Sequence, residues 1–161
     1  MTAWEEAPAV ERHDDPLKLE NQLCFPLYAC ARGIIRQYKP FLDPLGLTYT
    51  QYIVMMVLWE RGRILSKDLG RTLYLDSGTL TPLLKKLEAK GLVTRERGKK
   101  DERNLVVSLT EKGRGLKERA AQVPLQMSRC IDLTMEEAVQ LYRILYKILN
   151  GVGGEQETSG E

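Results

Sequence analysis

The sequence predicts a mainly α-helical chain carrying one small β-hairpin, and three observations lead there. Apolar residues recur at helical spacing, at Leu19, Leu23, Leu27, Ile34 and Ile35 and again at Leu80, Leu83, Leu84 and Leu87. The period changes at LVTRER and NLVVSL, which read as two strands joined by the charged stretch GKKDER. Lys and Arg gather around the same place. Residues 61–103 hold twelve Lys/Arg against six Asp/Glu, so the rest of the chain carries −4 when the whole is +2.

Taken in order, Asp15-Pro16 reads as an N-cap followed by a proline at the first helical position, and the helix it opens runs to about Tyr38. Lys39-Pro40 ends it. Pro44, Gly46 and a capping box from Thr48 to Gln51 open a second helix, TYTQYIVMMVLWERG, which closes at Gly62. Ser66 caps a short helix, KDLGRTL. After a turn comes TLTPLLKKLEAKG, ending at Gly91, where Pro82 costs little if the helix starts near Thr79. The hairpin follows. LTEKGRGL then begins a long helical segment to about Arg129, kinked at Pro124, and a second capping box, Thr134 to Glu137, opens a last helix.

A short helix, a turn, an amphipathic helix and a charged hairpin form the layout of a winged helix-turn-helix, with the hairpin as the wing. The expected organisation is an acidic tail over 1–15, one winged-helix domain over 16–150, and an acidic tail over 151–161. Within the domain, helices at about 16–38 and 111–149 are left over from a lobe at about 48–110. Leu133, Leu141, Ile144, Leu145, Ile148 and Leu149 are more apolar surface than a lone final helix needs. A helical partner for that surface is expected.

Several classes of function are set aside by composition. No apolar run approaches the ~20 residues that span a bilayer, and the acidic start lacks the order of a secretory signal, so a cytoplasmic location is expected, away from any membrane. Cys24, Cys30 and Cys130 form an odd, widely spaced set that fits neither a disulfide framework nor a zinc site. With His13 the single histidine, no metal, cofactor or conventional catalytic group is expected, and the chain does not read as an enzyme.

On the helix after the turn, the leucine stripe must face the core. Ser77, Thr79, Thr81, Pro82, Lys85 and Lys86 are left facing out. Short hydroxyl side chains permit close approach to a major groove, and lysines neutralise phosphates. An ordinary solvated helix face usually carries more glutamate, whereas Glu88 is the only acid between Ser77 and Lys90. In the hairpin, Arg95, Arg97, Lys99, Lys100 and Arg103 cluster, and an arginine at such a tip suits the narrow minor groove. Asp101, two residues before Arg103, reads as a brace for it. Double-stranded DNA is the expected partner.

The stretch LEAKGLVTRERGKKDERNLVVSLTEKG resembles the wing region of MarR-type regulators, including their Asp-x-Arg motif at Asp101 and Arg103. The resemblance spans roughly residues 17–149. It implies an obligate homodimer, with a helical dimerisation region built from both ends of the chain (about 16–38 and 111–149), on a near-palindromic operator. LENQLCFPLYA and GLTYTQY further resemble the organic-hydroperoxide-sensing branch of that family. That resemblance puts the reactive cysteine at Cys24 and its tyrosines at Tyr28, Tyr38 and Tyr49. Cys130, between the last two helices, is a candidate resolving thiol, most simply from the other subunit, which the resemblance to two-cysteine members supports. Pro26 departs from the pattern, and its missing N–H is expected to loosen the helix at the carbonyl of Gln22.

Spacing bears on these residues separately. Tyr28 lies one turn after Cys24 on the same face. Tyr38 is fourteen positions on, or ~21 Å along a straight helix, so it meets a Cys24 only across a subunit interface. Hydroxyl donors stabilise a thiolate, the form that attacks a peroxide. The bland alternative for Cys24 is a small buried hydrophobe. Cys30 is ~9 Å along the helix from Cys24 and off its face, too far for a disulfide, and a core position is expected.

The reading that follows is a repressor released from DNA when an organic hydroperoxide oxidises Cys24, the oxidised sulfur ending as a disulfide with Cys130, as a mixed disulfide with a low-molecular-weight thiol, or overoxidised. Two rivals stand beside it. One is a regulator of the same fold released by a small aromatic or phenolic ligand in a dimer pocket. The other is a thiol peroxidase using Cys24, which leaves the basic helix and hairpin unexplained.

Overall fold

The computed structural model describes residues 17–97 and 105–153. Backbone contacts divide it into two compact units, Met1–Met127 and Ser128–Glu161. The tail over 1–15, the Asp15-Pro16 cap and residues 154–161 lie outside the described residues.

The first long helix, α1, spans Cys24–Leu42, preceded by a 3-10 turn at Leu19–Asn21. It therefore begins about one and a half turns later than its apolar spacing suggests. Pro26 falls on its third residue, where an N–H has no helical acceptor to lose, and the Gln22 carbonyl accepts from Phe25 N at 3.2 Å. The expected loosening is absent. At the other end the helix passes through Pro40 rather than stopping at Tyr38. So late in the helix, the missing donor affects one bond, and Asp43 N closes the last turn onto the Lys39 carbonyl.

A 3-10 turn at Asp43–Leu45 and Gly46, in the left-handed region at φ 66°, lead into α2, Tyr49–Arg61. The Thr48–Gln51 capping box forms in both directions, as expected. This helix is the centre of the first unit. Tyr52, Val54, Met55 and Leu58 are all but inaccessible, and they pack with Leu80, Leu84 and Leu87, Leu92, Val93 and Val107, and Leu116 and Val123. Each such leucine contributes roughly 1.5–3 kcal/mol by burial.

Arg63–Leu65 forms a strand, β1, that the sequence pattern does not reveal. Three residues carry no periodicity. The strand exists because β3 (Leu105–Leu109) offers its free edge, pairing Ile64 with Val107, while β2 (Val93–Arg97) pairs the other edge, Val93 with Leu109 and Arg97 with Leu105. The antiparallel order is β1-β3-β2.

Helix α3 spans Ser66–Leu73, with Leu65 rather than Ser66 at the cap position. The turn to α4 (Ser77–Ala89) is tight. Tyr74 takes a left-handed φ of 53°, and a side chain on Gly70 would stand 2.8 Å from the Leu75 carbonyl. Asp76 caps α4, accepting from Thr79 N at 2.9 Å and Thr79 Oγ1 at 2.7 Å. Because the cap lies at Asp76, Pro82 is the sixth helical residue, not part of a first turn at Thr79, and the helix lacks its bond to the Gly78 carbonyl. Leu80, Leu83, Leu84 and Leu87 are buried as the stripe requires.

Helix α5, Glu111–Ala120, is capped by Thr110. The expected kink at Pro124 is a break. The helix ends at Ala120, and Pro124 becomes the second residue of α6, Val123–Met127, where proline is well accommodated. In the second unit α7 spans Met135–Gly153, its capping box closed by Thr134 N to Glu137 Oε2 at 2.8 Å and Glu137 N to Thr134 Oγ1 at 3.3 Å. It runs past the expected tail boundary at 151. Among the described residues no single helix is long and apolar enough to cross a membrane.

Candidate nucleic-acid interface and thiol–tyrosine site

Burying the leucine stripe of α4 turns Ser77, Thr79, Thr81, Pro82, Lys85 and Lys86 outward, and all six are exposed. The Thr79 hydroxyl donates to Asp76, so its oxygen remains as an acceptor for an outside partner. That bond and the Thr79 N–H hold the Asp76 carboxyl below the usual carboxylate range. The cap is thus a fixed anion at the start of the helix, where the dipole favours it.

Arg95 departs from expectation. Instead of projecting from the wing, its Nε and Nη2 both donate to Glu88 Oε2, at 2.9 and 2.6 Å. Its side chain is 18% exposed. The bonds tie β2 to the last turn of α4, and Arg95 holds the Glu88 carboxyl below its ordinary value. Arg97 is exposed. Lys99, Lys100, Asp101 and Arg103 lie outside the described residues.

Two further braces set the lobe. Trp59 Nε1 donates to the Gly113 carbonyl at 2.8 Å, joining α2 to α5. Gly113 backs so closely onto the root of β2 that an added Cβ would collide with the Leu92 carbonyl. Lys90, after α4, donates to the Gly46 carbonyl at 2.6 Å and to buried Gln51 at 2.8 Å.

Cys24 is exposed and is the first residue of α1. Tyr28, one turn on, is 57% exposed, and its hydroxyl oxygen accepts from Arg32 Nη1 at 2.8 Å. Tyr38 lies at the far end of α1, where its ring meets that of Tyr49 at 4.8 Å and that of Tyr52 at 6.0 Å. The structure thus brings Tyr38 and Tyr49 together and leaves Cys24 and Tyr28 at the opposite end of the same helix. Tyr52 is a member of this group that the sequence motifs do not single out. Its signal is the i, i+3 spacing from Tyr49, which puts both rings on one side of α2. Burial raises the pKa of Tyr38, Tyr49 and Tyr52, and their mutual proximity adds to it for Tyr38 and Tyr52. These hydroxyls therefore keep their protons, and with them the ability to donate to an anion.

Cys30, expected in the core, is exposed. Within its own chain α1 buries Leu42 alone, because α2 and α6 cover little of it, and Phe25, Leu27, Ile34 and Ile35 are exposed beside the cysteine. Cys130 is exposed in the second unit. None of the described side chains of α7 is buried either: Val139, Leu141, Ile144, Ile148 and Leu149 all face out. Among the described residues no cluster of His, Cys, Asp or Glu could hold a metal ion.

The family model described as transcriptional regulator SarA/Rot matches residues 36–120. The organic hydroperoxide resistance transcriptional regulator of Bacillus subtilis is 48% identical over 140 residues, covering 87% of this chain and 95% of that protein. Among solved structures, reduced AbfR bound to DNA superposes with a TM-score of 0.73 at 35% identity, covering 84% of this chain and 92% of that one. Disulfide-formed AbfR gives 0.62 at 36% identity, over 83% and 91%. A mutant MarR from E. coli complexed with operator DNA gives 0.70 at 27% identity, over 79% and 93%. These relatives are transcriptional regulators rather than enzymes. By sequence and by fold the chain belongs to the MarR family of winged-helix transcriptional regulators, in the branch of the organic hydroperoxide regulators.

Proposed function

We propose that the protein is a cytoplasmic, homodimeric repressor that leaves its operator when an organic hydroperoxide oxidises Cys24. The observation that carries this reading is the split of the sensing residues along α1. Cys24 and Tyr28 stand at its start, while Tyr38 and Tyr49 meet 4.8 Å apart at its end. An antiparallel second copy of α1 would bring one chain's thiol to the other's tyrosines. The exposed apolar side chains of α1 and α7 support such a pairing, since a lone chain would leave them all in water.

The chemistry needs no cofactor. The Cys24 thiolate attacks the distal peroxide oxygen, an S–O bond forms as the O–O bond breaks, and the leaving alkoxide takes up the thiol's proton. Cys–SH and ROOH become Cys–SOH and ROH; sulfur loses two electrons and the peroxide gains them. Condensation with the Cys130 thiol, or with a small thiol, then gives a disulfide and water. The disulfide-formed state of AbfR supports the first route. On the operator, α4 enters the major groove with Lys85 and Lys86 on phosphates, and Lys99, Lys100 and Arg103 follow the backbone or minor groove with Asp101 as a brace. Ser77, Thr79, Thr81 and Pro82 make the close approach, while Arg95 holds the wing.

The test is Cys24→Ser, measured by gel shift with and without cumene hydroperoxide. The variant should bind operator like wild type and stay bound at doses that release the wild type. Release of the variant at the same dose removes Cys24 as the trigger.

A further inference from the structure

Cys24, Tyr28 and Arg32 follow one another at i, i+4 and i+8 on α1, a single stripe on the helix. Arg32 engages Tyr28 twice. Its Nη1 donates to the hydroxyl oxygen at 2.8 Å, and its Cζ stands 5.4 Å from the ring centroid. Among the described residues Arg32 makes no ion pair with a carboxylate. The phenol, rather than an acid, is what holds this guanidinium in place.

The consequence follows from donor chemistry. Arg has no acceptor, so the Tyr28 oxygen receives this bond and its own proton is left for another group. A phenolic O–H has two in-plane orientations, and the positive charge disfavours the one that points at it. With the guanidinium on one in-plane side of the oxygen, the proton is left to the other side. Helical side chains lean toward the N-terminus, and Cys24 lies one turn from Tyr28 in that direction.

We propose that Arg32 is a positioning residue for Cys24: it fixes the Tyr28 hydroxyl as a donor aimed at the thiolate. The proposal rests on the reading of Cys24 as the reactive thiol, and it adds a residue that touches neither the sulfur nor the peroxide. Arg32 acts through Tyr28, by choosing the orientation of one proton.

The test measures the rate of Cys24 alkylation by iodoacetamide in the reduced, DNA-free protein, resolved by peptide mass spectrometry because Cys30 and Cys130 are also exposed. Arg32→Met and Arg32→Gln should each slow Cys24 about five-fold, the effect of one misdirected hydrogen bond. Arg32→Lys, which can still donate to the phenol, should recover most of the rate. Tyr28→Phe should be as slow as Arg32→Met, and combining the two should slow it no further. A wild-type rate in Arg32→Met overturns the proposal. An equal slowing by Arg32→Met in the Tyr28→Phe background also overturns it, since the arginine would then act by another path. The readout needs neither operator nor peroxide. A Cys24 inert to hydroperoxide in the wild type would overturn the sensing reading, while this comparison would still decide whether Arg32 and Tyr28 act together on the thiol.

Discussion

The ring of Tyr38, near the end of α1, meets the ring of Tyr49, at the start of α2, with centroids 4.8 Å apart. This contact fixes the tyrosines ~21 Å along the helix from the Cys24 of their own chain, since α1 is continuous from Cys24 onward. A sensor using both ends of α1 is therefore shared between two chains.

Mixed dimers test that sharing. In a heterodimer with Cys24→Ser in one chain and Tyr38→Phe in the other, the remaining Cys24 faces an intact Tyr38 across the interface. Stopped-flow oxidation should match the wild-type rate. With both substitutions in one chain, the remaining thiol faces a phenylalanine and should react several-fold more slowly. The reverse pattern would place the contact within one chain.

On α4, Lys85 and Lys86 are exposed and make no ion pair among the described residues. Replacing either with Ala should weaken binding to specific and random duplexes alike. The slope of log K against log salt should fall by about 0.9 for each phosphate that is no longer neutralised. Fluorescence anisotropy across a salt series measures it, and an unchanged slope would move the DNA-binding surface elsewhere.

The Arg95–Glu88 bond makes a pH-dependent brace. Arg95 holds the Glu88 carboxyl below its ordinary value, so the folded state favours the ionised form. The stabilisation is full above the usual carboxylate range and fades as pH falls through the depressed value. Thermal melts should show the wild type losing part of its advantage over Glu88→Gln between neutral and acid pH. If the difference between the two does not shrink on acidification, the pair adds nothing to stability.

Two glycines two residues apart in α5 give opposite predictions. A Cβ at Gly113 would collide with the Leu92 carbonyl, whereas at Gly115 it would meet nothing within 4 Å. Gly113→Ala should cost about 3 kcal/mol, because backbone must move away from backbone. Gly115→Ala should instead add up to about 1 kcal/mol, as expected for an open helical site. Denaturant unfolding of both variants separates them, and equal effects would undo the close-packing argument.

What can be read from sequence depends on whether a residue's neighbours are local. The α4 leucine stripe and both capping boxes involve residues three to seven apart, and all form as their spacing predicts. Strand β1 escapes notice because its partner is more than forty residues away in β3. Arg95 reads as a wing contact because its acid lies in another element, seven residues earlier, where no strand or helix period signals it. The apolar pattern that points Cys30 toward a core is present on α1, yet within one chain little covers it. Spacing along α2 puts Tyr52 on the same side as Tyr49, but that both meet Tyr38 depends on the packing of α2 on α1. The Asp76 cap is hidden because the turn before it owes its shape to Tyr74 in a left-handed conformation, an unusual choice for an aromatic residue.

Helix α7 is nineteen residues long and, among those described, buries no side chain within its own chain. In the proposed dimer its order is therefore supplied by mass action, and folding of this segment depends on how much protein the cell holds. Dilution would not simply halve occupancy of the operator. It would shift protomers into a state with a frayed α7, open to proteases and unable to present two matched recognition helices. In that dimer copy number becomes a second input beside the proposed oxidant, and a promoter under its control would respond more steeply than linearly to the protein's own abundance.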